Sequence, residues 1–147
     1  MKGIKIIGMA ADHAGFETKD FLVKYLRDKD FTIIDYGTNS AESVDYPDFA
    51  HALAFGIENG KCDIGISVCG SGNGINIAAN KHTGIRSALC WNTEIAKLAV
   101  SHNNANICAL PGRFITLDEA KAIVDVFLSS EFEGGRHQLR IDKIPIH

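Results

Sequence analysis

The chain has 147 residues, enough for one domain with a full-sized core. It is 46% hydrophobic and 22% charged, with a net charge of −3, so it lacks the basic surplus of a nucleic-acid or membrane-surface binder. The apolar stretch from Ile4 to Ala11 is broken by Lys5 and is too short for a signal peptide or a membrane span, so a cytoplasmic location is expected.

GIKIIGMAA is β-rich and ends at the turn residues Asp12, His13 and Gly15. From about Ala14 to Arg27, the apolar residues Phe21, Leu22, Tyr25 and Leu26 form a helical stripe. FTIIDYG predicts a second strand. A polar loop, 38–46, leads to Pro47, which suits a helix start. A second helical stripe over 49–57 stops at Asn59-Gly60. CDIGISVC predicts the third strand, followed by a Gly-rich turn and a short helix through Ala79. A strand over 85–91, a helix over 93–100 and the strand NICALPG come next. Thr116 with Glu119 reads as a capping box opening a helix to about Leu128. The tail beyond Phe132 is polar and basic, with no element assigned. This alternation predicts a single-domain α/β fold over residues 1–147, a three-layer αβα Rossmann-like sandwich with a five-stranded parallel sheet. The unbroken apolar strands agree, because parallel strands are buried on both faces.

In such sheets ligands bind at the carboxyl ends of the strands. That rule gathers Asp12 and His13, Tyr36, Cys69 to Gly74, Trp91 and Asn92, and Gly112 and Arg113 on one rim. CGSGNG, at 69–74, is the most distinctive stretch. A Gly-rich loop entering a helix turns backbone N–H groups toward one point, where an anion or a developing oxyanion can sit. The same field favours the thiolate of Cys69. A buried strand cysteine on a tight turn is the plainer alternative. A phosphate-binding Walker loop is excluded, because the loop ends Gly74-Ile75-Asn76. GxGxxG fails at Ile75 and at Ile77, and the C-x5-R pattern of cysteine phosphatases fails at Ile75. The four cysteines, Cys62, Cys69, Cys90 and Cys108, are expected to be free thiols. No Cys or His pair has zinc-ligand spacing, so no metal is expected.

Five separated blocks resemble one family in the right order: ADHAGFETK, DYGTNSAESVDYPDFA, CGSGNGINIAANKHTGIR, SHNNANICALPGRF and EFEGGRHQLR. The sequence is similar, over nearly its whole length, to the ribose-5-phosphate isomerase B family, which also contains galactose-6-phosphate isomerase subunits. The resemblance implies interconversion of phosphorylated aldoses and ketoses through an enediolate, without metal or cofactor. Cys69 matches the family's base, moving a proton between C2 and C1. Ser71 and the amides of Gly70, Gly72, Asn73 and Gly74 match its anion hole. Some relatives use a carboxylate one position after the loop; here that place is Ile75.

His102 matches the ring-opening acid/base, with Asn103 as its hydrogen-bonding neighbour; without the family, His-Asn-Asn also reads as a helix-ending cap. Asp12 matches a position at the sugar, either holding hydroxyls or relaying a proton between O1 and O2, and is otherwise a helix N-cap. Arg136 and Arg140 match a phosphate clamp helped by His13, and Arg113 a further substrate contact. The role of His137 stays open. Tyr46 and Trp91 are weaker candidates for pocket walls. His51, His82 and His147 match no catalytic position. The resemblance further implies a homodimer or tetramer with a shared site: Asp12 and the Cys69 loop from one subunit, His102, Asn103 and Arg113 from the other. The segment 132–147 is then expected at that interface. Ribose 5-phosphate is the expected substrate, with allose or galactose 6-phosphate as the nearest alternative. A non-catalytic sugar-phosphate-binding module and a redox-sensing thiol protein are readings from other classes.

Overall fold

The computed structural model describes residues 3–146. Five strands, β1 (Ile6–Ala11), β2 (Thr32–Asp35), β3 (Ile64–Cys69), β4 (Ser87–Leu89) and β5 (Ile107–Pro111), form one sheet in the order β2-β1-β3-β5-β4. Every pairing is parallel. The connections are helical: α1 (Phe16–Asp28), α2 (Tyr46–Glu58), α3 (Asn73–Ala79) and α4 (Thr93–Ser101). Helices α5 (Leu117–Ser129) and α6 (Arg136–Ile141) follow β5.

Alternation along each strand divides the core. Ile7, Met9, Ile66, Val68 and Leu110 pack with Leu22 and Leu26 of α1, Val100 of α4 and Phe127 of α5. Ala10, Cys69, Ile107 and Ala109 face the other way, onto Leu53 of α2 and Ile75 and Ala79 of α3. Three layers result, as the βα alternation predicts.

The elements depart from the sequence reading mainly at their ends. The first strand begins at Ile6 rather than Gly3, because the Asp63 carboxylate takes the N–H groups of Lys5 and Ile6, each at 2.9 Å. The fourth shrinks to three residues; the Arg86 N–H goes to the Asn106 side chain at 2.8 Å instead of a strand. The capping box is formed: Glu119 N–H donates to Thr116 Oγ1 at 3.1 Å, and Thr116 N–H to Glu119 Oε1 at 3.0 Å. Pro47 lies in the first turn of α2. Helix α6 lies in the tail to which the sequence assigned no element.

Candidate active site

The sheet order reverses between β1 and β3, since the chain leaves β1 for one neighbour and returns on the other side. That switch point opens a crevice at the carboxyl ends. Asp12 and Cys69 flank it. Ala11 pairs with Val68, and the Asp12 N–H donates to the Val68 carbonyl at 3.2 Å.

Asp12 Oδ1 accepts from the N–H groups of Ala14 and Gly15, at 3.0 and 3.1 Å, and so shapes the turn into α1. The N-cap position itself is held by Gly15, not Asp12. Gly15 is required there, because a side chain would run into the Val68 carbonyl. Asp12 Oδ2 makes no hydrogen bond among the described residues and is not occluded, which leaves it to the crevice. His13 Nδ1 accepts the Val44 N–H at 3.2 Å. In the neutral ring that fixes the proton on Nε2, a donor.

Cys69 ends β3 and is only 4% exposed. Ser71 Oγ accepts from Asn73 N–H at 3.2 Å, closing a tight turn. Gly72 has φ +78, and a side chain on it would strike Leu89 and the Leu110 backbone. The Tyr46 ring lies against Gly74, which makes Tyr46 a wall of the loop. From β5, the Gly112 N–H donates to the Cys69 carbonyl at 2.8 Å, and Arg113 N–H to Gly70 O at 3.0 Å. A methyl built on Gly70 would meet the Arg113 side chain at 3.4 Å. Arg113 therefore stands beside its own chain's Cys69 loop. Asn92 is committed to capping α4, accepting the Ile95 N–H at 2.8 Å. Trp91 is half exposed on the same rim.

The remaining site residues lie elsewhere. His102 is the C-cap of α4. Helix α4 runs back from the carboxyl rim, so His102 and Asn103 sit at the amino rim, ahead of Ile107. The register pairs Gly65 with Ile107 and Cys69 with Pro111. Cys69 is thus four residue steps up the sheet from Ile107, about 13 Å at ~3.3 Å per residue, and further still from His102. Arg136 and Arg140 are exposed on one face of α6, a turn apart, and neither has an ion pair with a described residue. The His137 ring stacks on His102, centroids 4.2 Å apart and planes 15° from parallel. Glu133 completes the group, and the ligand atoms of Glu133, His102 and His137 lie within 4.8 Å of one another. Two imidazoles that ligate one ion both aim their ring planes at it, whereas these two rings are stacked 15° from parallel.

One chain therefore carries two half-sets at opposite ends. The carboxyl rim has a thiol, a loop of amides, a carboxylate, an imidazole donor and a guanidinium. The amino rim has the imidazoles of His102 and His137 and two guanidinium groups with no ion pair among the described residues.

A family model described as Ribose/Galactose Isomerase matches residues 7–144. The chain belongs to this family. Ribose-5-phosphate isomerase B of Escherichia coli K12 is 43% identical over 141 residues, covering 96% of this chain and 95% of the relative. A crystal structure of a ribose 5-phosphate isomerase from Thermotoga maritima superposes with a TM-score of 0.94 at 51% identity, covering 97% of both chains. The enzyme from Mycoplasma genitalium, solved with bound ribulose 5-phosphate, gives 0.90 at 45% identity, covering 95% of this chain and 93% of that one. Sequence reasoning had no signal for Glu133 or for the His102–His137 stack, because the two histidines are far apart in the chain. His51 and His82 lie outside both half-sets: His51 Nδ1 and His82 Nε2 are 2.7 Å apart, and Glu58 Oε1 accepts from His82 Nδ1 at 2.9 Å. His147 lies outside the described residues. The four cysteines are free thiols. Among the described residues no helix is long and apolar enough to cross a membrane.

Proposed function

We propose that this chain is an aldose–ketose isomerase that interconverts ribose 5-phosphate and ribulose 5-phosphate in the cytoplasm, as a homo-oligomer with sites shared between copies. The observation that carries the reading is the division of one complete set of groups between the two rims. Two copies related by a two-fold axis would bring the carboxyl rim of one to the amino rim of the other, twice over. Trp91, Phe114 and Leu139 are large exposed apolar side chains near these rims, suited to such a contact.

In the composite site, Arg136 and Arg140 of one copy grip the phosphate, with His13 Nε2 of the other donating. His102 opens the ring. The O1–H proton leaves, C1=O1 forms, the bond from C1 to the ring oxygen breaks, and that oxygen takes a proton. Cys69 then removes the C2 proton as the electrons move to O1; the O2–H proton passes to O1, C2=O2 forms, and Cys69 returns its proton to C1. The amides of Gly70 to Gly74 and Ser71 hold the enediolate oxygen as its charge develops. Asp12 Oδ2 holds the sugar hydroxyls. Arg113 stands over the loop as a further anion contact.

The test is ketose formation from ribose 5-phosphate in excess chelator, with allose and galactose 6-phosphates alongside and Cys69→Ala as control. Pentose turnover lost in Cys69→Ala supports the reading. Preference for a hexose moves the substrate, and wild-type turnover by Cys69→Ala removes the base.

A further inference from the structure

His137 is the buried side chain of α6, 8% exposed, and its ring lies on that of His102. Behind it, His137 Nε2 is 3.6 Å from Glu133 Oε1. The Glu133 N–H donates to the carbonyl of Ser101, the residue before His102, at 3.0 Å. The segment after α5 is thereby tied to the end of α4 at two points. Among the described residues neither ring nitrogen of His102 has a hydrogen-bond partner.

That combination has a chemical consequence. A group that takes a proton from one sugar oxygen and supplies one to another must hold its ring so that a nitrogen can reach both oxygens. A hydrogen bond that held the ring would occupy one nitrogen and bias the tautomer. A stacked ring fixes the plane and leaves both nitrogens open. Arg136 and Arg140 share the six-residue helix with His137, so the phosphate grip and the imidazole plane are referenced to one rigid piece. We propose that His137, the buried side chain of α6, is a positioning residue that sets the plane of the His102 ring for opening the sugar. This inference rests on the ring-opening role given to His102 above.

The test separates ring opening from proton transfer. Ribulose 5-phosphate has no hydroxyl placed to close a five-membered ring, so deuterium uptake at its C1 in heavy water needs only the enediolate step. Net conversion of ribose 5-phosphate needs both steps. His137→Asn is expected to lower kcat for net conversion about 10- to 100-fold, as a misplaced catalytic group does. Deuterium uptake should stay within about twofold. His137→Phe keeps a ring on His102 and should recover most of the loss, because the stack rather than a nitrogen of His137 does the positioning. If His137→Asn does not fold, His137→Leu, which fills the same space without a ring, should show the same split.

The proposal is overturned if both reactions fall together, if neither falls, or if His137→Phe is as poor as His137→Asn. His102→Asn is the control for the underlying reading. If it too leaves net conversion intact, the ring-opening role of His102 fails; if it shows the split and the His137 variants do not, only the positioning role fails.

Discussion

Replacing Lys19 by Met should cost this fold about 3 kcal/mol, through a contact far from any substrate. Lys19 is 1% exposed, and its Nζ lies 2.7 Å from both carboxylate oxygens of Asp35 at the end of β2. Met keeps most of the hydrocarbon stem and removes the charge. It leaves the Asp35 carboxylate, 27% exposed, without its counter-ion. Breaking a buried pair on one side costs roughly 3–5 kcal/mol, and the partial access of Asp35 to water argues for the lower end. At 2–4 °C per kcal/mol for a chain of this size, Tm should fall by about 6–12 °C. Asp35 Oδ1 also accepts the Gly37 N–H at 2.9 Å, and Gly37 O accepts from Ala11 at 2.7 Å, beside Asp12. The double variant Lys19→Met/Asp35→Asn removes the stranded charge and keeps an acceptor for Gly37, so it should recover about 1–2 kcal/mol. Chemical denaturation of the three proteins measures both differences. A loss below about 1 kcal/mol for Lys19→Met, or no recovery in the double variant, would refute the buried-charge argument.

Other consequences are open to simple assays. Arg140→Ala should raise KM for the phosphorylated sugar about 10- to 100-fold, the equivalent of losing a charge-assisted hydrogen bond of about 1.5–3 kcal/mol, with kcat changed much less; initial-rate kinetics decide. Gly72→Ala imposes φ +78 on a side chain that meets Leu89, so a loss of about 1–3 kcal/mol and slower turnover are expected by melting and rate measurements. The Asp63 carboxyl is held below its usual range, first by the Ile6 N–H and then by that of Lys5. Its folded pKa is depressed, so its stabilisation is present above the ordinary carboxylate pKa near 4 and fades as pH falls through the folded value. Tm followed from pH 5 to pH 2 should therefore drop less steeply in Asp63→Asn than in the parent.

The layer order was legible because β1, β3 and β5 are short buried runs, and the helices carry stripes that bury one side. The capping box at Thr116 and the proline in α2 were readable for the same local reason. Helix α6 was not, since GGRHQLR is short and polar and buries one side chain, His137, against a residue far away in sequence. The rim rule placed Arg113 on the same rim as the Cys69 loop from strand ends alone, and the structure sets the two side by side because β3 and β5 are neighbours. The position of Asp12, His13 and the glycine loop followed from strand ends. The distance between Cys69 and His102 follows from the direction of α4, a relation visible only once helix and sheet are placed together.

The shared site is the central claim, and co-expressing two inactive variants tests it most directly. Cys69→Ala and His102→Asn each disable every site in a homo-oligomer. If each site takes Cys69 from one copy and His102 from another, a mixed dimer has one wholly native site and one doubly altered site. Random pairing then restores about a quarter of the wild-type rate for ribose 5-phosphate, from two parents with little activity. If both residues serve a site within a single chain, the mixture will be no more active than the average of the two variants, and the composite site must be abandoned.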